Sequence, residues 1–170
     1  VSTQSTGKIM QCQNVIQPFH PLYGGAIISH IDSSYKDMSS IRPLEDTQEA
    51  FIDVETKASL TFDLMVQVSK PLNESILTHL KDLTTHPTVK FSCTNHCYSQ
   101  LQIPFANMYL KCDHEMTHNG KVSKSKMLLV LLRLEKVNTD FLCYQLGGSE
   151  EKFLEAVKSI QIKDWKLFGQ

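Results

Sequence analysis

The chain has 170 residues, 41% hydrophobic and 21% charged, with a formal net charge of -1 and an isoelectric point near 6.7. That length buries one sizeable core rather than two, and the balanced charge gives no general attraction for nucleic acid. The longest apolar run, Met127 to Leu132, ends at Arg133, far short of the roughly 18 to 20 residues that span a bilayer, so no membrane insertion is expected.

The opening "VSTQSTGKIMQCQNVIQPFH" is polar, does not begin with Met and lacks the apolar core of about 7 to 15 residues that an export signal needs. A flexible extension over residues 1–18 is expected, followed by a single domain over 19–170. Cys12, Cys93, Cys97, Cys112 and Cys143 are odd in number and show no framework, which suits reduced thiols in the cytosol or nucleus.

In chain order, Pro21 and the Gly24-Gly25 turn precede a short apolar run at Ala26, Ile27, Ile28 and Ile31, read as a first strand. "DSSYKDMSSI" follows as a loop with one helical turn. In "EAFIDVE", alternation puts Ala50, Ile52 and Val54 on a core face, and Glu49, Phe51, Asp53 and Glu55 on an opposite face of carboxylates around an aromatic ring. "KASLTFDLMVQV" is ambiguous, since its apolar residues satisfy both a strand and a helical stripe. "NESILTHLKDLT" reads as a helix with Asn73 as N-cap and Ile76, Leu77, Leu80 and Leu83 inward. "TVKFSC", "ANMYLKCDH", "KMLLVLLRLE" and "DFLCYQL" read as strands, the second and third joined at Asn119-Gly120. "SEEKFLEAVKSIQI" is an amphipathic helix capped by Ser149. Such tightly joined strands predict an α/β domain with a largely antiparallel sheet.

Nucleotide-loop, Rossmann, zincin and nucleophile-elbow motifs are missing from the sequence, and no cofactor is expected. Cys93, His96, Cys97, Cys112, His114 and His118 fall within 26 residues. Thiolate and imidazole ligands from neighbouring strands can make a tetrahedral zinc site, but the spacing lacks a leading C-x-x-C pair. Buried cysteines and solvent-facing histidines are therefore the default, with Cys93, Cys97, Cys112 and His114 as the metal candidates. Lys121, Lys124, Lys126, Arg133 and Lys136 lack the interleaved aromatics of a nucleic-acid surface and read as a solvated basic face.

Residues 42–55, "RPLEDTQEAFIDVE", hold five carboxylates. Their composition alone suits a soluble loop entering a strand, with Asp46 and Thr47 in an Asx-type turn. It also suits a docking surface for a basic partner, because like charges on one face raise association rates and select the partner.

"PLYGGA" at 21–26, "RPLEDTQEAF" at 42–51, "LLRLEKVNTD" at 131–140 and "DWKLFG" at 164–169 stand in an order that resembles the Ran guanine nucleotide release factors, the Mog family. The resemblance implies an α/β/α sandwich around an antiparallel sheet, similar to the PsbP subunit of photosystem II, with Ala58 to Val68 helical. It implies a non-enzymatic regulator that binds the GTPase Ran, promotes release of its guanine nucleotide and serves nuclear import from the nucleus and cytoplasm, as a monomer without nucleic-acid partners. The family's Ran-binding D-[TN]-Q-E motif falls on Asp46, Thr47, Gln48 and Glu49, with Phe51 and Tyr23 expected to complete that surface. Glu45 stands where many relatives have proline, and residues 84–126 have no counterpart in the pattern. The alternatives are a module of the same fold serving another partner, such as a membrane protein in trafficking, a photosynthetic PsbP-like subunit, or a zinc protein using the 93–118 group.

Overall fold

Met127 to Leu132 can be apolar at six successive positions because the strand that holds them is covered on both faces. In the computed structural model, which describes residues 18–169, that strand lies inside a seven-stranded antiparallel sheet. The strands are β1 (Phe19–Leu22), β2 (Ile27–His30), β3 (Tyr35–Asp37), β4 (Gln48–Asp53), β5 (Ser59–Val66), β6 (Lys90–Ser99), β7 (Ala106–His118), β8 (Lys121–Leu134), β9 (Thr139–Leu146) and β10 (Gln161–Ile162). The large sheet runs β3-β4-β5-β9-β8-β7-β6, and β1, β2 and β10 form a separate small sheet. Two helices are described, α1 (Leu72–Leu83) and α2 (Glu150–Lys158). The expected extension lies, but for Pro18, outside the described residues, as does Cys12.

Side-chain parity divides the core. Leu128, Val130 and Leu132 pack with Leu60, Phe62 and Phe141, under Phe153 and Val157 of α2 and Ile27 of β2. Met127, Leu129 and Leu131 pack with Leu142, under Ile76 and Leu80 of α1. Helix α1 therefore covers one face, and α2 with the small sheet covers the other, giving the expected α/β/α sandwich. Each fully buried Leu or Phe contributes roughly 1.5 to 3 kcal/mol of transfer free energy. None of the described helices is long and apolar enough to cross a membrane.

Several expectations are corrected. The helix implied for Ala58 to Val68 is strand β5, hydrogen-bonded to β4 on one side and β9 on the other. Leu60 and Phe62 enter one core and Met65 the other, so pairing on both edges settles the ambiguous period in favour of alternation. In β4 the face assignment fails: Phe51 is 1% exposed and lies in the α2-side core beside Phe62, while Val54, expected inward, is 55% exposed. Alternation cannot tell inside from outside on a strand whose two faces are both covered, and Ala50 is buried as well. Helix α1 begins at Leu72 with Pro71, not Asn73, as its cap, and Leu77 is exposed. The "DSSYKDMSSI" loop supplies strand β3 before its expected helical turn at Met38–Ser40. The Asn119-Gly120 hairpin and the Ser149 cap occur as read, both hairpin residues being left-handed and Ser149 accepting the Lys152 N–H.

The Gly147-Gly148 turn joins β9 to α2 with both residues at positive φ. A Cβ on Gly148 would stand 2.8 Å from the Ala58 Cβ and 3.1 Å from the Tyr35 hydroxyl, whereas one on Gly147 meets nothing closer than 3.9 Å. The left-handed conformation costs a non-glycine residue about 1 to 2 kcal/mol, and crowding a packed site adds about 1 to 3 kcal/mol. Gly148→Ala is expected to lower stability by about 2 to 5 kcal/mol, and Gly147→Ala by only the first of these amounts. Urea midpoints of the two variants measure the difference.

Candidate functional site

The carboxylate-rich stretch leaves β3 through a turn in which the Asp37 side chain accepts the Ser39 N–H at 2.8 Å. Arg42, Pro43 and Glu45 are exposed, and the chain then reverses as the Gln48 N–H donates to the Glu45 carbonyl at 2.9 Å. Asp46 and Thr47 form the exposed apex. A backbone bond closes this turn, in place of the expected Asx-type contact, which leaves the Asp46 carboxylate directed to no hydrogen-bond donor among the described residues.

Tyr23 holds the turn from the small sheet. Its hydroxyl donates to the Thr47 carbonyl at 2.8 Å, and its backbone N–H donates to Glu49 Oε2 at 3.2 Å. The Thr47 carbonyl also accepts the Leu64 N–H at 3.0 Å, so the apex is fixed from β5 as well. Tyr23 adopts φ +52°, followed by Gly24 at +68° and Gly25 at +94°. Glycine reaches that region freely, but for tyrosine it costs about 1 to 2 kcal/mol, and here it aims both donors at the acidic strand. Burial raises the phenol's ionisation far above its ordinary range, with Cys143, Asp63 and Glu49 adding to the effect. It therefore acts as a neutral donor.

Glu49 is half-buried. Burial raises its carboxyl above the ordinary glutamate value and the nearby Asp37 charge adds to this, against the Tyr23 N–H and the neighbouring His20. Beneath the apex, Gln48 Nε2 donates to Asp63 Oδ2 at 3.1 Å, and the buried Asp63 Oδ1 finds no partner among the described residues. Burial raises the Asp63 carboxyl, opposed by Gln48 and Thr47. The site thus has an exposed charge at Asp46, a partly desolvated one at Glu49 and an inward support at Gln48. Phe51, expected to offer apolar surface, is corrected to a core residue touching His20 and Phe62.

The Cys/His group is spread over both faces of the β6-β7 pair. Cys93 stands opposite His114, and Cys97 opposite Lys111 across a bulge after Thr94. His118 is at the exposed hairpin tip. Among the described residues no three His, Cys, Asp or Glu side chains converge as a metal site would require, so the zinc reading has no geometry to rest on.

A buried polar network went unread in the sequence. Arg133 was assigned to a solvated face, yet it lies opposite Asp140 in the β8-β9 register and is nearly buried. Its Nε donates to Asp140 Oδ1 at 3.0 Å and its Nη atoms to the Val68 and Lys70 carbonyls at 2.9 and 2.7 Å. Ser75 Oγ and His79 Nε2, both on α1, approach Arg133 Nη2 at 2.8 Å and Asp140 Oδ2 at 2.7 Å. Burial pushes the Asp140 carboxyl up, but His79, Arg133 and the Val68 N–H outweigh it and hold it below the usual range. The signal available was a single arginine ending an apolar run, seven residues before an aspartate in the next strand.

Comparison with known proteins gives a consistent relationship. A model of the family described as "Ran-interacting Mog1 protein" matches residues 20–145, which contain the whole acidic turn. "Nuclear import protein MOG1" of Saccharomyces cerevisiae is 27% identical over 135 residues, and that match takes in 70% of this chain and 61% of the yeast protein, so the chain spans about three fifths of that relative's length. The 1.9 Å crystal structure of the Saccharomyces cerevisiae Ran-binding protein Mog1p superposes with a TM-score of 0.67 at 20% identity, covering 89% of this chain and 97% of that one. A glutamate-to-alanine mutant of Mog1 gives the same TM-score and identity over 91% and 100% of the two chains. At that identity the structures establish a shared fold.

Proposed function

The chain belongs to the Ran-interacting Mog1 family, and from that premise we propose that it binds the GTPase Ran through its acidic turn, promotes release of Ran's guanine nucleotide and acts in nuclear protein import. The observation that carries this reading is the family match across residues 20–145, and the stretch in that span that resembles the family's acidic motif, Asp46 to Glu49, forms a turn with an exposed apex held by Tyr23 and by backbone bonds. Asp46 supplies the accessible charge, Glu49 the partly desolvated one, and Tyr23, Thr47 and Gln48 hold them in position.

The turn carries out no covalent chemistry in this mechanism. A protein that binds the nucleotide-free or loosened GTPase more tightly than the loaded one must, by reciprocity, weaken the GTPase's hold on its nucleotide. The test is release of a fluorescent guanine nucleotide from purified Ran, with and without this protein, beside Asp46→Ala and Glu49→Ala at matched folding stability. Wild type is expected to accelerate release and both variants to lose most of the effect. A wild-type protein that binds Ran without accelerating release would limit the function to binding, and one that does not bind would remove Ran as the partner.

A further inference from the structure

Where the small sheet meets β3 and β4, a cavity of about 200 Å3 opens that the proposed docking turn does not use. Four of the residues lining it carry rings, Phe19, His20, Tyr35 and Phe51, and one, Asp32, carries a carboxylate. Tyr35 and Phe51 are 8% and 1% exposed and belong to its inner wall, whereas Phe19, at 41%, stands at its rim. The His20 ring meets Phe51 edge-on, with centroids 5.1 Å apart. Asp32 Oδ2 accepts the Ser34 N–H at 3.0 Å and the Ser34 hydroxyl at 2.6 Å, and lies 3.3 Å from Lys152 Nζ. Its Oδ1 has no donor among the described residues and reaches solvent. The β3-β4 register places Asp53 opposite Tyr35 and Asp37 opposite Phe51, so each ring of the inner wall has a carboxylate across the strand pair.

We propose that this cavity binds an alkylammonium head group, a trimethylammonium or the end of a lysine side chain, between the rings and Asp32 Oδ1. A cation is drawn to the electron-rich faces of aromatic rings, most strongly where water is excluded, and quaternary ammonium ligands are recognised in this way. Rings alone would take a neutral apolar group as readily. Asp32 makes the choice, because covering its open oxygen with an apolar group removes water and returns no compensating contact. An anion would meet the charges of Asp32, Asp37 and Asp53. The volume is below the roughly 300 to 1,000 Å3 of pockets that hold drug-sized ligands, so the cavity suits a head group rather than a whole metabolite. Lys152 is a competitor built into the protein, since its ammonium already sits on the other oxygen of the same carboxylate.

The isotope-labelled full chain is titrated by NMR with choline and, separately, with its uncharged isostere, in which a tert-butyl group replaces the trimethylammonium. Choline is expected to give saturable shifts at Tyr35 and Phe51, and the isostere to bind about ten-fold more weakly. Asp32→Asn keeps an oxygen for the Ser34 N–H and hydroxyl, and is expected to lose about ten-fold in choline affinity. Phe19→Ala, at the rim and checked by circular dichroism, is expected to lose a smaller factor, and Lys152→Met to bind choline more tightly. A short peptide carrying trimethyllysine, set beside choline, separates the two sources of the head group: tighter binding of the peptide assigns it to a protein, and equal binding to a free small molecule. Equal affinity for choline and its isostere, choline binding undiminished in both folded Asp32→Asn and Phe19→Ala, or shifts confined to residues outside the cavity would each overturn the proposal.

Discussion

Arg133→Met is expected to lower stability by about 3 to 5 kcal/mol, the usual cost of removing one partner from a buried charge pair. The methionine replaces the arginine's aliphatic volume, so little of the loss arises from a cavity. What is lost is the guanidinium that neutralises Asp140, a residue with no solvent exposure, and that caps the Val68 and Lys70 carbonyls and Ser75. His79 and the Val68 N–H remain as partners of Asp140, so its carboxylate is under-compensated rather than bare. The acid limb of unfolding reports the same change. Asp140 titrates below its usual value in the folded protein, so its contribution is fully present above the unfolded carboxyl value of about 3.9. That contribution is lost as pH falls through the folded value. Removing Arg133 shrinks the depression and moves acid unfolding to higher pH. Urea titrations between pH 3 and 7 on wild type, Arg133→Met, Asp140→Leu and the double variant measure both quantities. The double variant is expected to lose less than the two single losses combined, whereas strict additivity would mean that the pair does not act as a unit.

This network also shows where sequence reasoning runs out. Helix α2 was legible because its cap, its acidic first turn and its apolar stripe are local signals, and the β7-β8 hairpin because Asn119-Gly120 fixes a turn by itself. Arg133 carries no such mark. An arginine beside lysines in a polar hairpin reads as solvated, and only the register opposite Asp140, with α1 folded above, makes it a core residue. Phe51 failed for a related reason. Its strand alternates cleanly, but the small sheet and α2 cover the face that the carboxylates seemed to mark as outer, and the period of a strand does not reveal which face is covered. The acidic turn was found in the sequence by its charge density and by its motif. Tyr23 was expected at that surface, but the form of its support, a hydroxyl donating to a carbonyl 24 positions away, depends on a tertiary contact that carries no local signal.

Asp46→Lys is expected to weaken the proposed Ran complex by about 2 to 5 kcal/mol if Asp46 becomes a desolvated contact, which is roughly thirty-fold to several thousand-fold in affinity. Asp46 is exposed and Tyr23 fixes its turn through the backbone, so the substitution should leave the fold intact. The kinetics separate two positions in an interface: a rim charge changes the association rate and its salt dependence, whereas a buried one changes the dissociation rate. Glu49 adds a pH signature that Asp46 does not share. Burial holds its carboxyl above the ordinary glutamate value, so charging it as pH rises works against the free folded protein. A partner's lysine or arginine reverses that sign, because it favours the ionised form. Binding should therefore strengthen as pH rises through the Glu49 value in the free protein, with a proton released on association. The pH dependence should persist in Asp46→Ala and vanish in Glu49→Gln, whose amide oxygen can still accept the Tyr23 N–H. Titration calorimetry in buffers of different ionisation enthalpy measures that proton directly. If Glu49→Gln releases it as wild type does, the titrating group lies elsewhere and the partly desolvated carboxylate is not the one that meets the partner's charge.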